Sequence, residues 1–265
     1  MLDILQKIAA HKVKEVAERE KSVSLTQLSK SSLFSRTPTS LSERIRTSKH
    51  SGVIAEFKRR SPSKPNINLT ASPATVAEGY QNAGAAGMSV LTDETFFGGS
   101  SKDLLAVRET VSLPLLRKDF TISSYQIAEA KAIGADVILL IAAILTHEQT
   151  EEFTRVAHDH GLEVLLEIHE ENDLAHLKAN VDLVGINNRN LRTFKVDIEH
   201  SIRLQEKLPK GLPKISESGL SDPKVVQQLQ TAGFDGFLIG ESFMKHDDPG
   251  AACQQFIQTL HANVT

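Results

Sequence analysis

The chain has 265 residues, of which 40% are hydrophobic and 24% are charged, a balance typical of a globular protein with a substantial core. Its formal net charge of -3 gives no basic field that would attract nucleic acid or an anionic membrane surface. A single cysteine, Cys253, excludes an internal disulfide framework and a cysteine-rich metal site.

The first fifty residues differ in character from the rest. Residues 2–20 have the pattern of a charged amphipathic helix, and a stretch rich in Ser, Thr and Lys follows. This segment is too short and too polar to bury a core of its own. We therefore predict that residues 1–50 form a helical extension that covers a larger unit, residues 51–265.

From residue 53 onward, short apolar runs alternate with longer segments of helical period. The apolar runs occupy residues 53–58, 88–92, 113–118, 136–141, 163–168, 182–187, 213–218 and 236–240. They are nearly continuous rather than alternating in polarity, which is typical of parallel strands covered on both faces. We predict eight buried parallel strands.

Residues that typically begin and end helices lie between these runs. Segments that begin with Ser or Thr and end on Gly occupy residues 72–84, 123–134, 146–161 and 221–233. Eight strands, each followed by a helix, predict an α/β protein: a single closed (β/α)8 TIM barrel with an N-terminal helical extension. The alternative is an open doubly wound sheet, but no Gly-x-Gly-x-x-Gly motif follows the first strand.

Charged and amide residues recur where the predicted strands end. They are Glu56, Lys58, Lys118, Glu167, Asn187 and Glu217. In a barrel the βα loops converge at this end of the strands, and active sites are built there. Burying several charges for structure alone is costly, so we predict a functional cluster rather than turn residues or a structural ion-pair network. Arg117 and Asp119, which flank Lys118, should face outward as structural partners.

Two glycine-containing motifs follow the last two strands. In SESGL and LIGESFM, Gly219 and Gly240 would let the backbone approach an anion closely. Many barrels hold phosphate at these two strands with backbone N–H groups and a helix N-terminus. Ser61 and Arg189, which follow the first and sixth strands, are further candidates for holding an anionic substrate.

The motifs IAEFKRRSPSK, VLTDETFFGGS, LLRKDF, LLEIH, GINNRNL, SESGL and LIGESFM together resemble those of the indole-3-glycerol phosphate synthases of tryptophan biosynthesis. The resemblance covers essentially the whole chain. It implies a TIM barrel without a cofactor, a lyase that decarboxylates its substrate. The substrate would be 1-(2-carboxyphenylamino)-1-deoxyribulose 5-phosphate, and the products indole-3-glycerol phosphate, carbon dioxide and water.

The resemblance also implies roles for the strand-end residues. Lys118 would be the principal general acid, with Glu167 as its acid/base partner. Glu56 and Lys58 would serve in positioning and dehydration. For Lys118, burial and the neighbouring Lys58 predict a lowered pKa, a shift that Glu167 or Glu56 would oppose.

The remaining implied roles concern orientation and binding. Asn187 and Glu217 would orient the substrate and hold the lysines. Ser61 and Arg189 would help to hold the anionic substrate. The implied phosphate-binding positions are Ser218, Gly219, Gly240 and Glu241. The implied apolar walls around the aromatic ring are Phe97, Phe120 and Leu191.

The residues themselves are also compatible with two other functions. Lys118 could form a Schiff base with a phosphorylated keto-sugar, as in aldolases, or the site could bind a phosphorylated ligand without catalysis. We expect no metal, because His158 and His160 point apart on a predicted helix.

The expected partner is a phosphorylated small molecule, without nucleic acid or membrane, and the expected state is a monomer that could associate weakly. The longest apolar run, residues 137–145, is too short to span a bilayer. The N-terminus lacks a signal-peptide core, so we expect a cytoplasmic protein.

Overall fold

The computed structural model describes residues 4–47, 51–190 and 195–262. Eight parallel strands pair in chain order, and the last pairs with the first, so the sheet closes into a barrel. The strands are β1 (Val53–Phe57), β2 (Gly87–Leu91), β3 (Leu115–Lys118), β4 (Val137–Ile141), β5 (Glu163–Ile168), β6 (Leu183–Asn187), β7 (Lys214–Glu217) and β8 (Gly236–Ile239). The predicted closed barrel is confirmed, and the alternative of an open sheet is wrong.

The helices alternate with the strands and precede the barrel. The α-helices are α1 (Ile4–Ser22), α2 (Leu25–Leu28), α3 (Leu41–Arg46), α4 (Pro73–Asn82), α5 (Ser101–Thr110), α6 (Ser124–Ala132), α7 (His147–Asp159), α8 (Ile198–Gln205), α9 (Pro223–Thr231), α10 (Glu241–Met244) and α11 (Pro249–Ala262). The segment predicted over 72–84 contains α4, with Ser72 as its N-cap, and the segment predicted over 221–233 contains α9, whose N-cap is Asp222 rather than Ser221. None of the helices in the described ranges is long and apolar enough to cross a membrane.

One connection differs from the prediction that an α-helix, with its period of 3.6 residues, follows every strand. Between β5 and β6 the chain forms a 3₁₀ helix, Glu171–Ala179, which ends at Asn180 in the left-handed conformation. A 3₁₀ helix rises about 2.0 Å per residue, against 1.5 Å in an α-helix. For the same number of residues, the 3₁₀ helix therefore spans a greater length along the barrel than an α-helix would.

Strand residues divide between two apolar layers. In β1, Val53, Ala55 and Phe57 pack with the helices, whereas Ile54 belongs to a separate cluster inside the barrel. The inner cluster includes Ile54, Leu116, Leu139, Leu165, Leu183, Ile215 and Leu238. Because side chains alternate along a strand, each strand-end residue two positions after an inner residue also points toward the barrel axis.

The N-terminal extension contributes to both ends of this inner cluster. Ile8 of α1 joins it beside the carboxyl ends of the strands, where α1 also lines the cavity described below. At the opposite end, Leu41 and Ile45 of α3 join the same cluster. They lie against Gly87 and Gly236, the first residues of β2 and β8. The described part of the extension thus covers the barrel at both ends, and the predicted boundary at residue 50 lies outside the described ranges.

Two acids near the amino-terminal ends of the strands hold the extension against the barrel. Glu163, at the start of β5, accepts hydrogen bonds from the backbone N–H and hydroxyl of Ser42 at 3.0 and 2.7 Å. Asp136, which is fully buried just before β4, pairs with Arg36 of the extension at 2.7 Å and with Arg108 of α5 at 3.0 Å. These contacts fix the extension at the end of the barrel opposite the strand-end charges.

Candidate active site

A cavity of about 370 Å³ opens at the carboxyl ends of the strands. Every predicted site residue that the structure describes lines it. These residues are Glu56, Lys58, Ser61, Phe97, Lys118, Phe120, Glu167, Asn187, Arg189, Glu217, Ser218, Gly219, Gly240 and Glu241. The other predicted residue, Leu191, lies outside the described ranges.

Lys118 lies between two carboxylates at the end of β3. Its Nζ is 2.5 Å from Glu217 Oε2 and 3.2 Å from Glu167 Oε2. Asn187, at the end of β6, donates its side-chain N–H to Glu167 Oε1 at 3.2 Å. Four separate strands thus bring an ammonium, two carboxylates and an amide together.

A second ammonium–carboxylate pair comes from β1. Lys58 Nζ lies 2.5 Å from Glu56 Oε1. Ser89 of β2 donates its hydroxyl to Glu56 Oε2 at 3.5 Å, and Glu56 itself is buried. The i, i+2 spacing of Glu56 and Lys58 places both on the inner face of the strand, as predicted.

The pKa of Lys118 is raised, so the predicted lowering is wrong. Burial by itself lowers this pKa, but the charges of Glu217, Glu167 and Glu56 together outweigh burial. Lys118 is consequently an ammonium throughout the neutral pH range. The sequence suggests the neighbours but not their distances, and the distances determine the sign of the shift.

The two carboxylates beside Lys118 have different pKa values. Burial raises the pKa of Glu217 to about 7, and the nearby charges of Glu167 and Glu56 add to that effect against the pull of Lys118. Burial also acts to raise the pKa of Glu167, but Lys118, His169 and the hydrogen bond from Asn187 lower it overall. One acid therefore titrates near neutrality, while its neighbour stays ionised.

Two glycines leave room for these carboxylates. A Cβ atom at Gly185 of β6 would overlap Glu217 Oε1, and one at Gly240 would overlap Glu56 Oε1. Gly240 has a φ of -121°, a conformation open to other residues. Both positions therefore need glycine for side-chain space rather than for backbone freedom. The phosphate-binding role of Gly240 stays a prediction.

The loop after β7 has a backbone shape that few sequences adopt. Ser218 and Gly219 both have positive φ, at 71° and 75°, and a non-glycine residue in this region is strained. Asn188, buried after β6, donates its side-chain N–H to the carbonyl oxygen of Ser218 at 2.9 Å and to Ser216 Oγ at 3.0 Å. Asn188, which is not among the predicted site residues, holds this loop at the cavity edge.

The predicted anion-binding residues surround the same side of the cavity. The carboxylate of Glu241 pairs with Lys64 at 2.5 Å near the surface. Ser61 shares a hydrogen bond with Ser63 at 3.1 Å, and Arg189 donates its backbone N–H to Asn187 Oδ1 at 3.0 Å. The negative charge of Glu241 is therefore partly offset by a cation of the loop after β1.

Apolar side chains line the other side of the cavity. The rings of Phe97 and Phe120 lie 5.9 Å apart between centroids. Leu5 and Ile8 of α1 and Leu139 of β4 face the same space. The two aromatic walls were predicted from the sequence. The apolar residues that α1 adds to the cavity were not, although the amphipathic pattern of α1 is evident in the sequence.

Arg117 and Asp119 are both buried, each with only 2% of its surface exposed. Arg117 points away from the barrel axis and donates to the carbonyl oxygen of Gln126 at 2.8 Å. It pairs with Asp119 at 3.3 Å, so the two are structural partners as predicted. Asp119, however, lines the cavity, and the prediction that it faces outward is wrong.

His169 is a neighbour of the site that is not among the predicted site residues. Its Nε2 lies 3.3 Å from Glu167 Oε1. The two residues are i and i+2 at the end of β5, so the strand period could have identified this contact. Among the described residues, no cluster of three or more His, Cys, Asp or Glu side chains could hold a metal ion.

Comparison with known proteins gives one family. The sequence model of that family, described as indole-3-glycerol phosphate synthase, matches residues 5–256. A relative of that name from Bacteroides thetaiotaomicron is 49% identical over 98% of this chain and 100% of its own length. Another of that name from Magnetococcus marinus is 46% identical over 97% of this chain and 98% of its own.

Solved structures of similar shape support the fold alone. A 3-hexulose-6-phosphate synthase from Salmonella typhimurium has a TM-score of 0.63 at 14% identity, covering 79% of this chain and 98% of its own. A thiamine phosphate pyrophosphorylase from Pyrococcus furiosus has a TM-score of 0.60 at 14% identity, covering 83% and 99%.

Proposed function

Since the chain belongs to the indole-3-glycerol phosphate synthase family, we propose that the cavity at the mouth of the barrel is where it makes indole-3-glycerol phosphate. The substrate is the phosphorylated small molecule 1-(2-carboxyphenylamino)-1-deoxyribulose 5-phosphate. The observation that carries this assignment is the position of the Lys118 ammonium, held in the cavity between Glu167 and Glu217.

The geometry supports binding of the substrate by its two ends. The phosphate lies at the loops after β7 and β8, where Ser218, Gly219 and Gly240 line the cavity, and Arg189 assists in holding the anion. The carboxyphenyl ring lies between the apolar walls that include Phe97. Holding both ends bends the substrate, so the aryl carbon that bears the carboxylate meets the ribulose carbonyl carbon.

Ring closure comes first. The aryl carbon forms a bond to the carbonyl carbon, and the Lys118 ammonium gives a proton to the carbonyl oxygen, which becomes a hydroxyl. A positioned general acid typically contributes about 10²–10⁴-fold to the rate. Because its neighbouring carboxylates raise the pKa of Lys118, the proton is present on the amine when the substrate binds. Glu217, whose pKa is about 7, is suited to return a proton to it.

Decarboxylation and dehydration complete the reaction. The carboxylate leaves as carbon dioxide, and its bonding electrons restore the aromatic ring. The new hydroxyl then leaves as water with one hydrogen of the adjacent methylene group. Glu167 and the Glu56–Lys58 pair lie at the site as acid and base groups for this step, and Asn187 orients Glu167 through its hydrogen bond.

The raised pKa of Lys118 argues against the aldolase alternative. A Schiff base forms from a neutral amine, and this amine is held as an ammonium by two contacting carboxylates. Borohydride added with the substrate should therefore leave no covalent adduct on Lys118. The monomeric state and the cytoplasmic location remain predictions.

The activity is tested by incubating the protein with the substrate and following indole absorbance and fluorescence, with little background because the chain has no Trp. We expect product from the wild type and about 10²–10⁴-fold lower kcat from Lys118→Met, with KM little changed. Lys207→Met is the matched control, because Lys207 pairs with Glu171 at the surface and neither residue lines the cavity. Absence of product from the wild type, or full turnover by Lys118→Met, would overturn the proposal.

A further inference from the structure

Lys12 is a fully buried charge in the middle of α1. Its Nζ lies 2.9 Å from Asp93, 3.0 Å from Asp119 and 3.0 Å from Glu15. Moving an ammonium out of water is costly unless several partners compensate. Two of the partners belong to the barrel rather than to the helix, so Lys12 fastens α1 to the loops after β2 and β3.

Asp93 uses its other oxygen to fix the loop that carries one aromatic wall. Its Oδ2 contacts Lys12, and its Oδ1 accepts the backbone N–H groups of Phe96 at 2.7 Å and Phe97 at 3.1 Å. The backbone that carries the Phe97 ring is therefore joined to Lys12 through a single carboxylate.

Asp119 does the same for the second aromatic residue of this side, Phe120. Its Oδ1 lies 3.0 Å from Lys12 Nζ and also accepts the backbone N–H of Phe120 at 2.8 Å. Its Oδ2 accepts the hydroxyl of Thr92 at 2.6 Å and pairs with Arg117 at 3.3 Å. The start of the Phe120 loop is thereby held by the same ammonium.

These contacts converge on the apolar side of the cavity. The Phe97 and Phe120 rings lie side by side, with 5.9 Å between their centroids and their planes tilted by 38°. Leu5 and Ile8, two turns and one turn before Lys12 on α1, line the same space. The ammonium thus joins three separate segments that together form one apolar slot, although Lys12 itself does not line the cavity.

We propose that Lys12 is a positioning residue that sets the width of the aromatic slot, and hence the affinity for the carboxyphenyl end of the substrate. This inference rests on the proposed function for the identity of that ring. Lys12 acts through Asp93 and Asp119 and takes no part in proton transfer. Its loss should weaken binding of the ring without affecting binding of the phosphate.

A second cation of α1 provides a matched control. Arg19 pairs with Glu15 at 2.9 Å and with Glu129 of α6 at 3.2 Å. It therefore holds the same helix to the barrel without contacting Asp93 or Asp119. If Lys12 only fastened the helix, Lys12→Met and Arg19→Met would change the kinetics alike.

The test compares kcat and KM for the wild type, Lys12→Met and Arg19→Met. We expect Lys12→Met to raise KM about ten-fold or more with kcat within about three-fold, because the slot contacts the ring equally in the bound substrate and in the transition state, and losing such contacts weakens binding alone. Arg19→Met should leave both constants near wild type. An unchanged KM in Lys12→Met, or an equal rise in Arg19→Met, would overturn the proposal.

Two small molecules, each resembling one end of the substrate, test the two ends of the site independently. Anthranilate represents the ring and inorganic phosphate the other end, and the anthranilate fluorescence titration needs no turnover. Lys12→Met should weaken anthranilate binding about ten-fold or more and leave phosphate binding unchanged. Equal weakening of both would contradict a role confined to the slot. Because wild-type turnover is measured separately, failure of the proposed function and failure of this inference give different results.

A second variant covers the case in which Lys12→Met does not fold. Asp119 keeps its pair with Arg117 when Lys12 is removed, so Asp93 is the acid left uncompensated. The double variant Lys12→Met with Asp93→Asn removes that charge, and the amide oxygen can still accept from the N–H groups of Phe96 and Phe97. We expect a folded protein with the same rise in KM. A folded double variant with wild-type KM and anthranilate affinity would overturn the proposal.

Discussion

The carboxyl group of Glu217 makes stability depend on pH in a defined direction. Its pKa is about 7 in the folded protein, above its ordinary value of 4.5. Between these two values the folded state binds more protons than the unfolded state, so this group favours folding at low pH and loses that contribution as pH rises. Lys118, whose pKa is raised, stays charged throughout this range and contributes a constant amount.

The quantity to follow is the unfolding free energy of wild type minus that of Glu217→Gln. We expect it to fall by about 3 kcal/mol between pH 4 and pH 8, because each unit of pKa shift corresponds to about 1.4 kcal/mol. Urea unfolding of both proteins at several pH values measures the difference, in which the titrating groups distant from Glu217 cancel. A difference that is constant with pH, or one that grows in favour of wild type as pH rises, would contradict this account.

Gly185 gives a prediction about the space beside Glu217. In Gly185→Ala the new methyl group overlaps Glu217 Oε1, so the carboxylate must move away from Lys118. We expect kcat to fall about ten-fold to a hundred-fold while the barrel stays folded, as assayed by indole formation and circular dichroism. Gly84→Ala is the control. Gly84 has a positive φ with open space around it, so that change should reduce stability by about 1 kcal/mol and leave kcat unchanged.

At this scale the sequence reveals which residues meet but not how they titrate. The i, i+2 rule placed Glu56 with Lys58 and could have placed His169 with Glu167, because both contacts follow from strand period alone. The pKa of Lys118 depends on partners from β5 and β7 at particular distances. Lys12 offered no signal, since a lysine on an amphipathic helix is ordinarily solvated.

The segment beneath the barrel gives a prediction at the level of the elements. Asp136 is fully buried and pairs with Arg36 and Arg108, so Asp136→Asn leaves two guanidinium groups without their acid. We expect a loss of about 3–5 kcal/mol in unfolding free energy. At temperatures where the variant is folded, kcat should be unchanged because Asp136 lies at the opposite end from the cavity.

The control for this variant is Asp159→Asn. The pair of Asp159 with Arg155 is largely exposed, with 63% and 67% of the two side chains accessible, so its loss should change stability by no more than about 0.5 kcal/mol. Urea unfolding checks both variants. Equal effects of the two would contradict the anchoring role of Asp136.

Strands and helices could be predicted where their local sequence determines them, and not where contacts with other parts of the fold do. Nearly continuous apolar runs identified all eight strands, and Ser72 with Pro73 identified the start of α4. The short helices α2 and α3 were not predicted, because they lie in polar sequence and α3 is held by contacts such as Leu41 against Gly87. The 3₁₀ form of Glu171–Ala179 depends on the space between β5 and β6 and is likewise invisible in the chain.

For the whole molecule we propose that the extension and the barrel are one cooperative unit. The extension shares the inner apolar cluster through Ile8, Leu41 and Ile45, and has too little apolar surface of its own to stay folded without it. Scanning calorimetry should therefore show one unfolding transition. In Asp136→Asn that transition should move to lower temperature without splitting. A separate, earlier transition for the extension would contradict this.

The position of Ile45 has a consequence for the order of events during synthesis. Its neighbour at the base of the barrel, Gly236, begins the last strand. At typical translation speeds the ribosome takes about 10–40 s to progress from one residue to the other. Throughout that interval Ile45 lacks this neighbour, although Gly87, the neighbour of Leu41, has already been made. The Ile45 side chain must therefore stay in contact with water or a chaperone. An early segment of the polypeptide, α3, therefore completes its native packing only after the last strand has been made.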